Sequence, residues 1–168
     1  MTEPLAEIAA AARHVVRAAG TATLATTMTP VPGGGPGDEP AGAGGPCASL
    51  ALLAADHTGA PILLVSTLAE HTRNLSADPR VSILCDGTLG CDSPLTGPRV
   101  TLQGRLAPAA DPQHRSQFLA RHADAAGYVD FSDFAFFQLD VLSAHMVEGF
   151  GRIHWIGGAD LLLDVART

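Results

Sequence analysis

The sequence predicts a mainly β, α+β fold: a small antiparallel barrel with helices packed on its outside. Three observations lead there. Short apolar runs recur between closely spaced turn signals, giving six or seven strands. One run, Val100 to Leu106, alternates without a break: Val100, Leu102, Gly104 and Leu106 fall on one face and Thr101, Gln103 and Arg105 on the other, as in a half-buried antiparallel strand. Only three segments carry helical spacing or helix start signals.

Thr2 to Ala19 reads as an amphipathic helix, because Leu5, Ile8, Ala12, Val15 and Ala19 recur at three- and four-residue steps and Gly20 follows in a helix-ending place. Thr21 to Met28 alternates and is rich in Thr, which suits a first strand. Residues 30–46, Pro30 to Pro46, hold seven Gly and five Pro and read as a flexible Gly/Pro-rich insertion. A phosphate-binding Gly loop is the alternative, but no Lys follows and neither standard spacing is matched. Cys47 to Ala54 is the second strand, Ala55 to Gly59 a hairpin turn, and Ile62 to Ser66 the third strand. A short helix then ends before Asp78-Pro79, since proline disfavours helical geometry in the residue ahead of it, and Val81 to Cys85 is the fourth strand.

Asp86 to Pro98 is a polar connection that lacks the terminal Glu of a calcium loop. Asp111-Pro112 starts a helix that runs to about Ala125. After a turn at Tyr128 to Asp133, Ala135, Phe137, Leu139 and Val141 stripe another strand. Ala144 to Phe150 is the last one, and Gly151 to Trp155 forms a tail.

A chain of 168 residues suits one domain, residues 1–168, able to bury roughly 70% of its unfolded surface. Hydrophobic residues make up 46% and charged ones 16%, so the charged surface is sparse and part of the outside is expected to be buried against another subunit. The net charge of −7, with no Lys among ten cationic residues, argues against a nucleic-acid partner. Cys47, Cys85 and Cys91 form no C-x-x-C pair, and no run resembles a leader or a membrane span. The expectation is a cytoplasmic protein with no membrane partner.

The chemistry concentrates between Pro61 and Leu84. Ser66 and Thr67 stand at a strand end, and His71, Thr72 and Arg73 follow in the opening turns of a helix. Hydroxyls and basic groups so placed suit a phosphate. The same residues also permit a plain helix start, with Thr67 and Glu70 as the two halves of a capping box.

Three ordered blocks extend this reading: STLAEHTRNLSADPRVSIL (Ser66 to Leu84), SPLTGPRVTLQGRL (Ser93 to Leu106) and YVDFSDFAFFQLDVLSAHMVEGFGRIHW (Tyr128 to Trp155). Together they resemble the pyridoxamine 5′-phosphate oxidase-like family of FMN-binding split barrels, and within it the branch of the HugZ-type haem-utilisation proteins. The resemblance implies a six-stranded antiparallel split β-barrel with flanking helices, a homodimer, and one FMN at each edge of the dimer interface.

It also implies residue roles. The family's phosphate motif places a basic residue three positions before an Asn-Leu pair. Asn74-Leu75 matches that pair, so His71 takes the position of the family's lysine, beside Thr72 and Arg73. Ala48, Ser49 and Leu50 match the strand whose backbone meets the flavin edge, and Arg99 matches a polar flavin-contacting position. Arg152 and Trp155 are candidates for a wall of the partner's flavin pocket; ordinary C-terminal packing is the other reading of both. The substrate-phosphate residues and Trp-containing ending of the true oxidases are absent, which speaks against vitamin B6 synthesis.

Three functions stay open. One is an FMN-dependent oxidoreductase acting on a small-molecule redox substrate. Another is a haem-binding or haem-degrading protein in which His145 or His154 ligates iron, and the third is a non-catalytic flavin-binding module. Zinc spacing, H-E-x-x-H and G-x-S-x-G are all missing, so metal-hydrolase and serine-hydrolase templates are set aside.

Overall fold

A computed structural model describes residues 4–29 and 44–164. Most of the insertion expected at 30–46 therefore lies outside the described residues. Its last residue, Pro46, already belongs to a strand.

The chain opens with helix α1 (Leu5–Ala18), which buries Ile8, Ala9, Ala12, Val15 and Val16. Strands β1 (Thr21–Thr27), β2 (Pro46–Leu52), β3 (Ala54–Ala55) and β4 (Pro61–Ser66) follow, then helix α2 (Glu70–Ala77). Next come β5 (Arg80–Asp86), β6 (Pro98–Pro108), helix α3 (Gln113–Arg121), β7 (Phe134–Glu148), β8 (Ile153–Gly157) and the single-turn α4 (Gly158–Leu161).

Every strand pairing is antiparallel, and the path across the sheet is β2-β1-β5-β6-β7-β4-β3 with β8 also on β7. Strand β7 serves two neighbours along one edge: Phe134 to Gln138 pair with β4, and Ser143 to Val147 pair with β8. The sheet curls until β2 approaches β4 without hydrogen-bonding to it. The result is a half-closed barrel with a seam between these two strands.

The inner face of the curl and the buried side of α1 make one core, containing Leu24, Ile83, Leu102, Met146 and Ile156. Strand β4 is buried on both sides, Leu63 and Val65 facing that core while Ile62 and Leu64 face a second one with Phe118 and Val129. This double burial is why PILLV is a continuous apolar run rather than an alternating one.

The structure corrects the end of the chain. The two strands expected at Ala135 to Val141 and Ala144 to Phe150 are one strand, β7, and the expected tail supplies β8. The cause is a bulge: Gln103 pairs with Ser143 but Gly104 pairs with Val141, leaving Leu142 as an extra residue. One inserted residue moves the inward set from Leu139 and Val141 to Ala144 and Met146, so the alternation breaks in the sequence although the strand does not. Gly104 is required opposite this bulge, since a Cβ there would lie 2.0 Å from the Asp140 carbonyl oxygen. The helix expected to reach Ala125 ends at Arg121 and continues as a 3-10 turn over Ala123–Gly127.

Candidate functional site

The seam opens into a groove of about 320 Å³. Leu50 and Leu52 of β2 form one wall, Leu64, Val65 and Ser66 of β4 the other, and Ala69, His71, Tyr128 and Phe134 close the end. Strand pairing explains this convergence. Ser66 pairs with Phe134, so the start of β7 stands beside the end of β4, and the Tyr128 ring packs on Phe134 at 5.1 Å. Asp133 pins this wall in place: its carboxylate accepts from Ser66 Oγ at 2.8 Å and its carbonyl from the Thr67 N–H at 2.7 Å.

Helix α2 positions His71 from the other side. Asn74, fully buried, accepts from the Thr29 N–H (2.9 Å) and Thr29 Oγ1 (2.7 Å) and donates to Thr26 Oγ1 (3.0 Å), fastening α2 to β1. The helix starts without a side-chain cap: Ala69 is the N-cap, and Glu70 pairs with Arg73 instead of closing a box with Thr67. Burial lowers the pKa of His71 below that of a free imidazole, so at neutral pH the groove faces an uncharged ring.

Of the residues picked from the sequence, Leu50, Ser66 and His71 line the groove together. Thr72 lies just behind, its hydroxyl donating to the Ser66 carbonyl at 2.6 Å, and Thr67 and Arg73 flank it at the surface. Ala48 and Ser49 precede Leu50 on β2. Arg99 does not line the groove, and neither do Arg152 and Trp155, whose expected place is a partner's pocket rather than that of their own chain. The Arg99 guanidinium donates to the carbonyls of Leu95 and Gly97, Arg152 pairs with Glu148 at 3.1 Å, and Trp155 stacks on His145 with ring centroids 4.5 Å apart.

Tyr128, Asp133, Phe134 and Leu64 were not singled out from the sequence. Only the β4–β7 register reveals them, and that pairing spans nearly 70 residues with no local signal.

These contacts bear on what the groove can hold. Three of the groups suited to a phosphate are engaged inside the protein: Ser66 Oγ with Asp133 and the Leu68 N–H, Thr72 Oγ1 with Ser66, Arg73 with Glu70. A dianion would also meet the Asp133 carboxylate. The remaining surface is aliphatic and aromatic, with one neutral imidazole, and so suits apolar contact. Among the described residues there is no cluster of three or more metal-ligating side chains, and no helix is long and apolar enough to cross a membrane.

Leu50 also belongs to a second feature, the outward face of the sheet. Its row runs Leu50, Thr23, Leu84, Thr101, His145, Trp155 across six strands. The next row is Ala48, Ala25, Ser82, Gln103, Ser143, Gly157. Neither contains a carboxylate or a guanidinium, yet Leu50, Leu84 and Trp155 are 76%, 38% and 62% exposed.

An antiparallel sheet curled to an open seam, with a ligand-sized groove in that seam, defines a split barrel of the pyridoxamine 5′-phosphate oxidase type. A solved structure from Clostridium acetobutylicum, a protein related to general stress protein 26 of the pyridoxinephosphate oxidase family, shares this fold at a TM-score of 0.65. It is 9% identical over 93% of this chain and 98% of its own. More narrowly, the chain belongs to the family described as "CREG, beta-barrel", whose profile matches residues 3–162.

Two relatives are similar in sequence as well. The non-canonical heme oxygenase HOZ, chloroplastic, of Arabidopsis thaliana is 37% identical over 109 residues, 63% of this chain and 33% of that protein. The structure of a heme binding protein from Mycobacterium smegmatis matches at a TM-score of 0.79 and 32% identity, over 96% of this chain and 61% of the other. The chain thus spans about a third and about three fifths of the lengths of these two relatives.

Proposed function

We propose that this protein binds a haem-type tetrapyrrole in the seam groove, working in the cytoplasm as a homodimer joined through the outward sheet face. The observation that carries the reading is the groove's chemistry: apolar walls from both seam strands, two aromatic rings, a neutral imidazole, and a Ser66 hydroxyl already donated to the Asp133 carboxylate. The names of the Arabidopsis and mycobacterial relatives support it. A volume of about 320 Å³ is near the low end of ligand pockets, so the groove takes one edge of the macrocycle. A second copy on the uncharged face would cover more of it. Bound haem would supply redox-active iron; the chain's own part is to hold the ring edge between Leu50, Leu52, Tyr128 and Phe134 and to keep water from it.

The flavin reading is second. Its support is that the Arg73–Glu70 pair is exposed, worth roughly 0–1 kcal/mol, and so yields readily to a phosphate. A titration of the purified chain with ferric haem and, separately, with FMN decides between them. Saturable growth of a Soret band with no flavin quenching supports haem. Flavin quenching that Arg73→Ala abolishes, with no Soret change, replaces haem by FMN.

A further inference from the structure

We infer that a small phosphate-type oxyanion binds in a second pocket, one that shares no lining residue with the seam groove. This pocket of about 260 Å³ lies where the last turns of α1 and α3 meet β3, and Arg17, Gln117, Arg121, Ala54, Ala55 and Ala120 line it. Two guanidiniums thus face one small cavity in a chain whose net charge is −7. The volume is below the usual range for cofactors and drug-sized molecules, so the ligand is a small one.

The positive charge here is not spent on the protein's own acids. Among the described residues the ion pairs engage Arg73, Arg80, Arg115 and Arg152, and neither Arg17 nor Arg121 meets a carboxylate. Arg17 Nη2 donates to the His57 carbonyl at 2.9 Å and Arg121 Nη2 to the Ala18 carbonyl, which leaves further N–H donors on each guanidinium. The Asp56 carboxylate, one residue beyond Ala55, does not compensate them: it accepts from the Thr58 and Ala60 N–H groups, the Thr58 hydroxyl and the Gln138 amide. Asp124, on the 3-10 turn after α3, is outside the lining.

The backbone adds a donor. Strand β3 ends the path across the sheet, so one side of it has no neighbouring strand. The Asp56 N–H donates to the Ala60 carbonyl and Ala55 stands opposite Pro61, so the alternation of the ladder turns the Ala55 N–H to that free side. Two residues earlier the outward groups of Leu53 are taken, its N–H by the Gly20 carbonyl and its carbonyl by His122 Nε2. The Ala55 N–H has no such partner among the described residues. Gln117 turns Oε1 inward, away from water, which leaves its NH2 as the end the pocket meets.

Two guanidiniums, an amide and a backbone N–H suit a ligand that accepts at several oxygens. A carboxylate fills one guanidinium fork, whereas a phosphate dianion has the charge and the oxygens for two. The carbonyl ends of α1 and α3, which oppose an anion, are covered: Val15 by the Ala19 N–H, Ala18 by Arg121 and Phe118 by the His122 N–H.

The test titrates inorganic phosphate, glycerol phosphate and acetate into the isotope-labelled full chain at constant ionic strength, following the Ala55 backbone amide and the Gln117 NH2 by NMR. Saturable shifts of both signals with a phosphate, at several-fold lower concentration than with acetate, support the site, and the tighter of the two phosphates tells a free ion from an ester. Arg17→Gln and Arg121→Gln should each weaken phosphate binding about tenfold. Arg115→Gln, which removes the same charge from α3 outside the pocket, should stay within about twofold. No saturable shift at Ala55, acetate binding as tightly as phosphate, or an equal loss in Arg115→Gln overturns the inference. Arg17→Gln gives up one exposed hydrogen bond, so it keeps the test decisive even where loss of the Arg121 contact to Ala18 unfolds the other variant.

Discussion

Replacing Asn74 by Ala tests how the groove is held. The side chain makes three bonds to groups at the end of β1: the Thr29 N–H and hydroxyl, and the hydroxyl of Thr26. Thr26 is 4% exposed, so water cannot reach its oxygen once the amide is gone, and a stranded buried polar group costs about 1–3 kcal/mol. The two Thr29 groups are only partly buried and can turn to water, each losing about 0.5 kcal/mol. Adding the void left by the truncated amide brings the expected loss to about 3 kcal/mol. For a chain of this length about 3 kcal/mol corresponds to a Tm lower by roughly 6–12 °C. Urea unfolding of both chains, analysed with a common slope, is the measurement. A loss under about 1 kcal/mol would show that α2 is not fastened through this amide, and the argument for a fixed His71 would go with it.

Four other outcomes are expected. Leu84→Glu puts a charge in the middle of the outward sheet face; sedimentation should show a dimer for the parent and a monomer for the variant, and a parent that sediments as a monomer refutes the interface. Gly104→Ala drives a Cβ onto the Asp140 carbonyl and should cost about 3 kcal/mol or abolish soluble expression, whereas Gly127→Ala, with nothing within 4 Å, should be near neutral; equal stability of the two refutes the bulge. Burial pushes the Cys85 thiol up to about 12, so a thiol reagent at neutral pH should label Cys47 and Cys91 in the native chain and reach Cys85 only after unfolding. Hydrogen bonds from Arg80 hold Asp78 down at about 2 against its ordinary 3.8. The contribution of this pair is therefore present above 3.8 and lost as pH falls through about 2, and Asp78→Asn should lower Tm slightly at neutral pH with the difference vanishing at the acid end.

The parts of the fold that were legible in the sequence are those whose burial is regular. Strand β6 alternates because one face meets the core and the other meets solvent, and α1 shows its helical stripe because it lies across the curl with one side down. The end of the chain was misread because one extra residue, Leu142, inverts the alternation inside a single strand. The site was half legible for a related reason. Ser66 and His71 are close in sequence and announce themselves together, as does Leu50 through the family likeness. Tyr128 and Phe134 reach the groove only because β7 pairs with β4. Arg99, taken from the family likeness, and Arg152 and Trp155, expected against a partner's pocket, meet carbonyls, a carboxylate and an imidazole within their own chain.

The seam itself explains how such a barrel can change its ligand while keeping its shape. The walls are built from strands whose other sides are buried, β4 on both faces and β2 through Ala51 and its ladder with β1, so their spacing is set by the cores rather than by the ligand. What remains free to vary is the short arc from Ser66 to Arg73 and the Asp133 side chain opposite. A free Ser hydroxyl and an unpaired cation there would favour a phosphate; here the hydroxyl is claimed by Asp133, the guanidinium by Glu70, and the imidazole is neutral. On the tetrapyrrole reading proposed above, an internally paired arc between apolar walls would favour the face and edge of a large aromatic ring over the charged tail of a nucleotide cofactor.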